Sequence, residues 1–180
     1  MPVWELIAKD AERGAEVLVE EYSERLYATA FRICLNEKDA EDLVFRTLAR
    51  VVSVIRSFRG DSAFFTWMCA IMMNFRRMDA RRKGANSLVL VDELPERVDV
   101  RPSPSDATAS GDEASQLRAA VSALPYDMRE AVVLHYFDDM SVPEVAKALS
   151  VPEGTVYWRL HEGRRLIHER LAKVFRRDGI

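Results

Sequence analysis

No run of eighteen or more uncharged apolar residues occurs in the 180-residue chain, so no membrane insertion is expected. The first ten residues, MPVWELIAKD, hold no basic segment ahead of an apolar core, and no secretory signal is read there. Cysteine is scarce. Cys34 and Cys69 stand among apolar neighbours, which suits two reduced thiols in a cytoplasmic protein rather than a disulfide framework. The three histidines (His135, His161 and His168) are scattered, so with two cysteines they supply too few ligands for a metal centre. His161 and His168 share a helix face seven residues apart, without a carboxylate partner at helical spacing. No glycine-rich phosphate loop is present, so neither catalytic residues nor a cofactor are expected, and an enzyme is the least favoured class. Seven glycines and seven prolines exclude low complexity, and neither strand alternation nor an internal repeat is seen.

The net charge of −3 argues against nucleic-acid binding only as an average. From Arg56 to Lys83, seven basic residues face two acidic ones, a local charge of +5. From Val151 to the C-terminus, seven basic residues face four acidic ones, giving +3. Between these, Asp92 to Gln116 carries seven acidic residues against two basic, or −5. Local fields govern contact with phosphates, so two cationic segments separated by an acidic one remain compatible with DNA.

Apolar spacing of three and four residues marks helices throughout. Leu18, Tyr22, Leu26, Ala30 and Ile33 place one over residues 16–34. Asn36 to Asp39 supplies a turn and a cap, and Leu43, Val44, Leu48, Val51, Val52 and Ile55 face inward from a second helix over 40–56. A loop over 58–62 precedes a third helix from Ala63, carrying Phe64, Trp67, Met68, Ile71, Met72 and Phe75 into a basic run that stops near Gly84. Residues 92–112 are rich in Pro, Ser, Asp and Thr and read as a solvated linker. Helices over 114–124 and 127–137 follow. The fold class is all-α: two small helical bundles joined by a flexible acidic linker, divided at 1–91, 92–113 and 114–180.

The most informative stretch is Ser141 to Arg165. Ser141 with Glu144 forms a capping box, Val145, Ala146 and Leu149 give the first helix an apolar stripe, and Pro152 breaks the pattern before the next helix. Val156, Leu160, Ile167 and Leu171 continue an inward face, leaving Thr155, Tyr157, Trp158, Arg159, His161, Arg164 and Arg165 largely off it. That layout is a helix-turn-helix whose second helix enters a DNA major groove; a helical hairpin with a solvated cationic face is the alternative.

Three motifs in register carry a family resemblance. Phe58 to Trp67 (FRGDSAFFTW) with Asn74 resembles the promoter-melting segment of bacterial sigma factors of the extracytoplasmic-function (ECF) class. Asp39 to Val44 (DAEDLV) is similar to the helix of that family that docks on RNA polymerase. Ala123-Leu124-Pro125 with Arg129-Glu130, then Ser141 to Leu160, resembles its C-terminal DNA-reading domain.

The resemblance implies a non-catalytic specificity subunit with two DNA surfaces. Gly60, Asp61, Ser62, Phe64 and Asn74 would form a pocket for a flipped base of the minus-ten element, with Arg76, Arg77, Arg81, Arg82 and Lys83 on the adjacent backbone. Thr155, Tyr157, Trp158, Arg159, His161, Arg164 and Arg165 would read the minus-thirty-five element. Trp67 falls at core spacing instead. Asp39, Asp42, Leu43, Phe45 and Arg46 would contact the clamp of the polymerase beta-prime subunit. Promoter DNA, core polymerase and an anti-sigma factor are the implied partners. The acidic linker suits the RNA-exit path of the polymerase, or equally a plain tether.

Three places in the sequence depart from the family pattern. Phe45-Arg46 stands where the family commonly has Gln-Glu, which reverses a charge on the polymerase-facing side and is expected to weaken or shift that contact. It also keeps open a sigma-like DNA-binding regulator that acts without core polymerase. Trp158 replaces a small polar residue. Glu162-Gly163 stands where the family usually continues with basic and small residues, and Gly163 is expected to shorten or bend the recognition helix, since glycine lowers helix propensity by about 1 kcal/mol relative to alanine.

Overall fold

The computed structural model describes residues 1–86 and 111–177, and every regular element in them is helical. The first bundle holds α1 (Val3–Lys9), α2 (Ala11–Cys34), α3 (Glu37–Val54), a 3₁₀ turn at Ile55–Ser57 and α4 (Phe64–Asn86). The second holds α5 (Gly111–Ser122), α6 (Tyr126–Val132), a π turn at Val133–Phe137, α7 (Val142–Leu149) and α8 (Glu153–Arg177). Most of the expected linker lies outside the described residues; its last three positions begin α5.

Local chemistry sets the helix ends. The Asp10 carboxylate accepts from the Arg13 amide (3.1 Å) and the Asn36 side chain from that of Asp39 (2.9 Å), each satisfying an otherwise orphaned N–H. At α7 the Ser141 amide and hydroxyl both donate to the Glu144 carboxylate, at 2.9 and 2.7 Å, as the capping-box spacing requires. Leu35 and Ser150 close α2 and α7 in the left-handed region, at φ 58° and 55°.

Packing makes the elements stay. Leu18, Leu26, Ile33, Leu43, Val51, Met68, Met72 and Met73 are fully buried where α2, α3 and α4 meet. Each such side chain stabilises the fold by about 1.5–3 kcal/mol relative to leaving it in water. Short α1, which its seven residues could not hold alone, docks because Gly14 lets the Ile7 backbone approach: a Cβ at Gly14 would lie 2.5 Å from the Ile7 Cα. Trp4 then joins Phe58, Phe64 and Trp67 in an aromatic cluster with ring centroids 5.1 to 5.8 Å apart. In the second bundle Val132, Val133, Leu134, Val145, Val156 and Leu160 are buried around α8.

Gly163 has a different role from the one its propensity suggests. α8 runs unbroken from Glu153 to Arg177, and a Cβ at Gly163 would lie 2.9 Å from Val132 Cγ2. The glycine lets α6 and α8 cross closely, so the shortened helix expected from sequence does not occur. The two bundles also pack on each other, chiefly α4 against α7 and α2 against the π turn, so that one apolar core continues through both.

Candidate nucleic-acid interface

The loop from Phe58 to Ala63 projects from the buried aromatic cluster. Gly60 takes φ 76°, a left-handed conformation that glycine adopts without strain, and Gly60 and Asp61 are exposed while Ser62 is half-buried. Phe64 is not at this surface: only 5% of it is exposed, and its ring packs on Trp4, Tyr22, Phe58 and Trp67. It supports the loop from beneath. Trp67 is half-buried in the same cluster, as its spacing indicated. Asn74, Arg81 and Arg82 are exposed about three to five turns further along α4.

Arg76 and Arg77 point elsewhere. Arg77 donates to the Leu149 and Ala148 carbonyls (2.6 and 3.3 Å) and to the Ser150 hydroxyl (3.1 Å), so its guanidinium caps the C-terminus of α7, where a cation is favoured by the helix dipole. It also bonds the Asn74 side-chain oxygen. Arg76 Nε donates to the Tyr126 hydroxyl at 3.1 Å and lies over that ring. Thr66 donates to Glu144 (3.1 Å) and Arg129 Nε to the Ile33 carbonyl (3.1 Å). Two of the four expected phosphate-binding arginines, Arg76 and Arg77, are therefore engaged by the second bundle in this closed arrangement.

Asp138 is the most constrained member of that interface. The π turn carries it into α2, where the Thr29 hydroxyl lies 2.9 Å from both carboxylate oxygens and Arg25 donates to the Asp138 carbonyl at 3.2 Å. Burial raises its pKa to about 6, against the opposing pull of the Thr29 bond and the Arg25 and Arg32 charges. Glu130 is likewise buried and raised, with Tyr126 as hydrogen-bond partner. Burial pushes the Cys34 thiol up to about 11 and the Cys69 thiol well above its ordinary value, which keeps both in the thiol form.

The face expected to meet polymerase is formed by α3. Asp39, Asp42 and Phe45 are exposed, Phe45 to 74%, while Leu43 is buried. Arg46 does not present a free charge there. It forms a two-pronged pair with Asp79 (2.8 and 3.1 Å), a further bond to Asp42 (3.1 Å), and a stack on Phe75 at 4.6 Å. The Arg46 hydrogen bonds hold the Asp79 carboxyl below its usual range. The charge reversal read from sequence is thus matched inside the chain, and what changes outwardly is the exposed Phe45 ring.

α7 and α8 form the helix-turn-helix. Tyr157, Trp158, His161, Arg164 and Arg165 are exposed on one face of α8, and Thr155 is half-buried. Arg159 turns away: its side chain is 13% exposed and donates to Asp127 on α6 at 3.1 Å. Arg165 is clasped by Glu162 and Glu169 of its own helix. Sequence reasoning missed Thr29, Tyr126 and Asp138, and it gave Glu130 only as part of the family motif, without a role at this interface.

The geometry is that of two helical modules seen together in one protein class. Residues 18–86 match the family model for Sigma-70 region 2, and residues 114–167 match that for Sigma-70, region 4. The ECF RNA polymerase sigma factor SigE of Mycolicibacterium smegmatis is 32% identical over 157 residues, covering 87% of this chain; the chain spans 61% of that relative's length. ECF RNA polymerase sigma factor SigW of Bacillus subtilis is 27% identical over 168 residues, covering 87% of this chain and 88% of SigW. In fold, the chain is similar to the sigma factor RpoE in complex with the anti-sigma factor NepR from Bartonella quintana (TM-score 0.64, 21% identity, covering 91% of this chain and 98% of that one). The chain belongs to the ECF sigma factors, whose function is promoter recognition in transcription initiation. Among the described residues, no helix is long and apolar enough to cross a membrane.

Proposed function

We propose that this chain is a dissociable, non-catalytic subunit that binds core RNA polymerase in the cytoplasm and directs it to a promoter set. Residues 1–91 serve the core polymerase and the minus-ten element, residues 114–180 serve the minus-thirty-five element, and 92–113 tether them. The exposed α3 face, with Asp39, Asp42 and Phe45 over buried Leu43 and internally paired Arg46, meets the clamp of the beta-prime subunit. Gly60, Asp61, Ser62 and Asn74, with Phe64 beneath, accept an unstacked base, and Arg76, Arg77, Arg81 and Arg82 follow the adjacent phosphates.

The observation that carries most weight is the pairing of a loop-plus-basic-helix module with an exposed helix-turn-helix face in one chain. Since Arg76 and Arg77 are bonded to the second bundle, the two bundles must part before α4 can meet DNA. An anti-sigma factor is the expected regulator, holding the closed arrangement. Similarity to solved complexes supports such a partner: RpoE is bound there to the anti-sigma factor NepR, and CnrH to the cytosolic domain of CnrY.

A pull-down with bacterial core polymerase, followed by mapping of transcription start sites, tests the proposal. Stoichiometric capture and new start sites that depend on the chain are expected. A chain that fails to bind core polymerase contradicts it.

A further inference from the structure

The exposed face of α8 changes chemical character along its length. Gly154, Tyr157, Trp158, His161, Arg164, Arg165 and His168 follow one another at helical spacing, all exposed. The N-terminal residues of a recognition helix are the ones that reach base edges, while later turns meet the backbone. In this protein that leading end offers no free guanidinium. Arg159 is tied back to Asp127 on α6, and Arg165 is tied to Glu162 and Glu169. Of these three arginines only Arg164 is exposed without an ion-pair partner among the described residues, two turns beyond Tyr157.

The commonest specific contact to guanine is a two-pronged arginine, and the leading turns of α8 do not offer one. What they offer is aromatic. Tyr157 is 61% exposed and Trp158 58% exposed, although both sit next to a well-packed core to which Val156 and Leu160 belong. Neither ring is stacked on another aromatic ring among the described residues. An apolar face at a base edge finds one apolar feature in the major groove, the thymine 5-methyl group.

Resting on the placement of α8 in the major groove, we propose that Trp158, with Tyr157 beside it, is the specificity determinant of the upstream element and selects thymine through its methyl group. The indole and phenol rings cover the methyl and exclude water from it. Arg164 and the next turn carry the helix on the phosphates without regard to sequence. Selectivity is then for thymine steps under the leading end of α8, in place of guanine.

The test uses the full chain assembled with bacterial core polymerase and a pool of duplexes randomised over twelve upstream base pairs. Enriched sites are expected to hold thymine at one or two fixed positions. Replacing those thymines with deoxyuridine, which lacks only the methyl, is expected to weaken binding roughly fourfold per methyl, the value of one buried methyl group. Trp158→Ala is expected to bind the thymine and deoxyuridine duplexes equally. Tyr157→Ala is expected to reduce the difference. Enriched sites that bind equally well with deoxyuridine overturn the proposal while leaving α8 as the DNA-binding helix. Unchanged sequence preference in both variants also overturns it and assigns the aromatic pair to a protein surface. Failure of the wild-type assembly to enrich any sequence overturns the placement of α8 and the proposal together.

Discussion

Asp138 makes the contact between the two bundles dependent on pH. The residue is 5% exposed, and its carboxyl is pushed up to about 6 in the closed arrangement, against 3.8 for the free group, because burial disfavours the charge more than Thr29, Arg25 and Arg32 favour it. Below about pH 4 the group is protonated whether the bundles are together or apart, and closure carries no electrostatic penalty. As pH rises from there to about 6, the separated form ionises first and the closed form loses ground. Above about pH 6 the disadvantage is constant at about 3 kcal/mol, the difference in pKa converted at about 1.36 kcal/mol per unit. Asp139, exposed next to it, adds to the repulsion felt by the ionised group, while Arg25 and Arg32 on α2 oppose it. Small-angle X-ray scattering of the full chain between about pH 4 and pH 8 reads this directly. The radius of gyration should grow between about pH 4 and pH 6 in the wild type and change little above that. In Asp138→Asn, which keeps an acceptor for the Thr29 hydroxyl and cannot ionise, it should stay small and flat. Retention of the wild-type pH dependence in Asp138→Asn would refute the mechanism.

Other substitutions probe the remaining parts of the account. Arg46→Glu restores the family's usual charge but places a third carboxylate beside Asp79 and Asp42, so it should lower stability by about 1–2 kcal/mol in denaturant unfolding. An unchanged midpoint would mean that the pair with Asp79 is not formed in solution. Gly163→Ala raises helix propensity yet drives a Cβ into Val132 Cγ2, and a net loss of about 1 kcal/mol is expected; a gain in melting temperature would show that α6 and α8 sit further apart. Arg164→Gln should reduce the slope of log affinity against log salt by about one for any duplex, because Arg164 has no ion-pair partner among the described residues. Arg165→Gln should change that slope less, since its charge is already matched by Glu162 and Glu169.

Much of the architecture is legible in the chain itself. Helical spacing places α2, α3 and α4 within a few residues, and the Ser141–Glu144 signature marks the start of α7, whereas α8 runs on past Gly163 where a break was expected. The distance of Trp67 from Phe64 and Ile71 assigns it to the interior, and it packs there. Short α1 leaves no signal because it is held by a close approach at Gly14 and an aromatic contact of Trp4, both tertiary. The same reason hides the interface between bundles. In sequence Arg77 is one more member of a basic run; only the fold brings the α7 carbonyls within its reach. Asp138 likewise gives no signal in the sequence, because only the π turn carries it against Thr29. Arg46 reads as an outward charge because its partner Asp79 lies 33 residues away on another helix. Periodicity reports which face is apolar; it says nothing about which polar groups from distant segments meet.

The central claim is that the chain opens promoter DNA together with core polymerase. Permanganate reactivity of thymines in the downstream element, measured on a promoter with the chain, with core polymerase, and with both, tests it most directly. Reactive thymines should appear only when both are present. Promoter DNA that is bound by the chain alone and stays fully base-paired when core polymerase is added would contradict the claim and leave a duplex-binding regulator in its place.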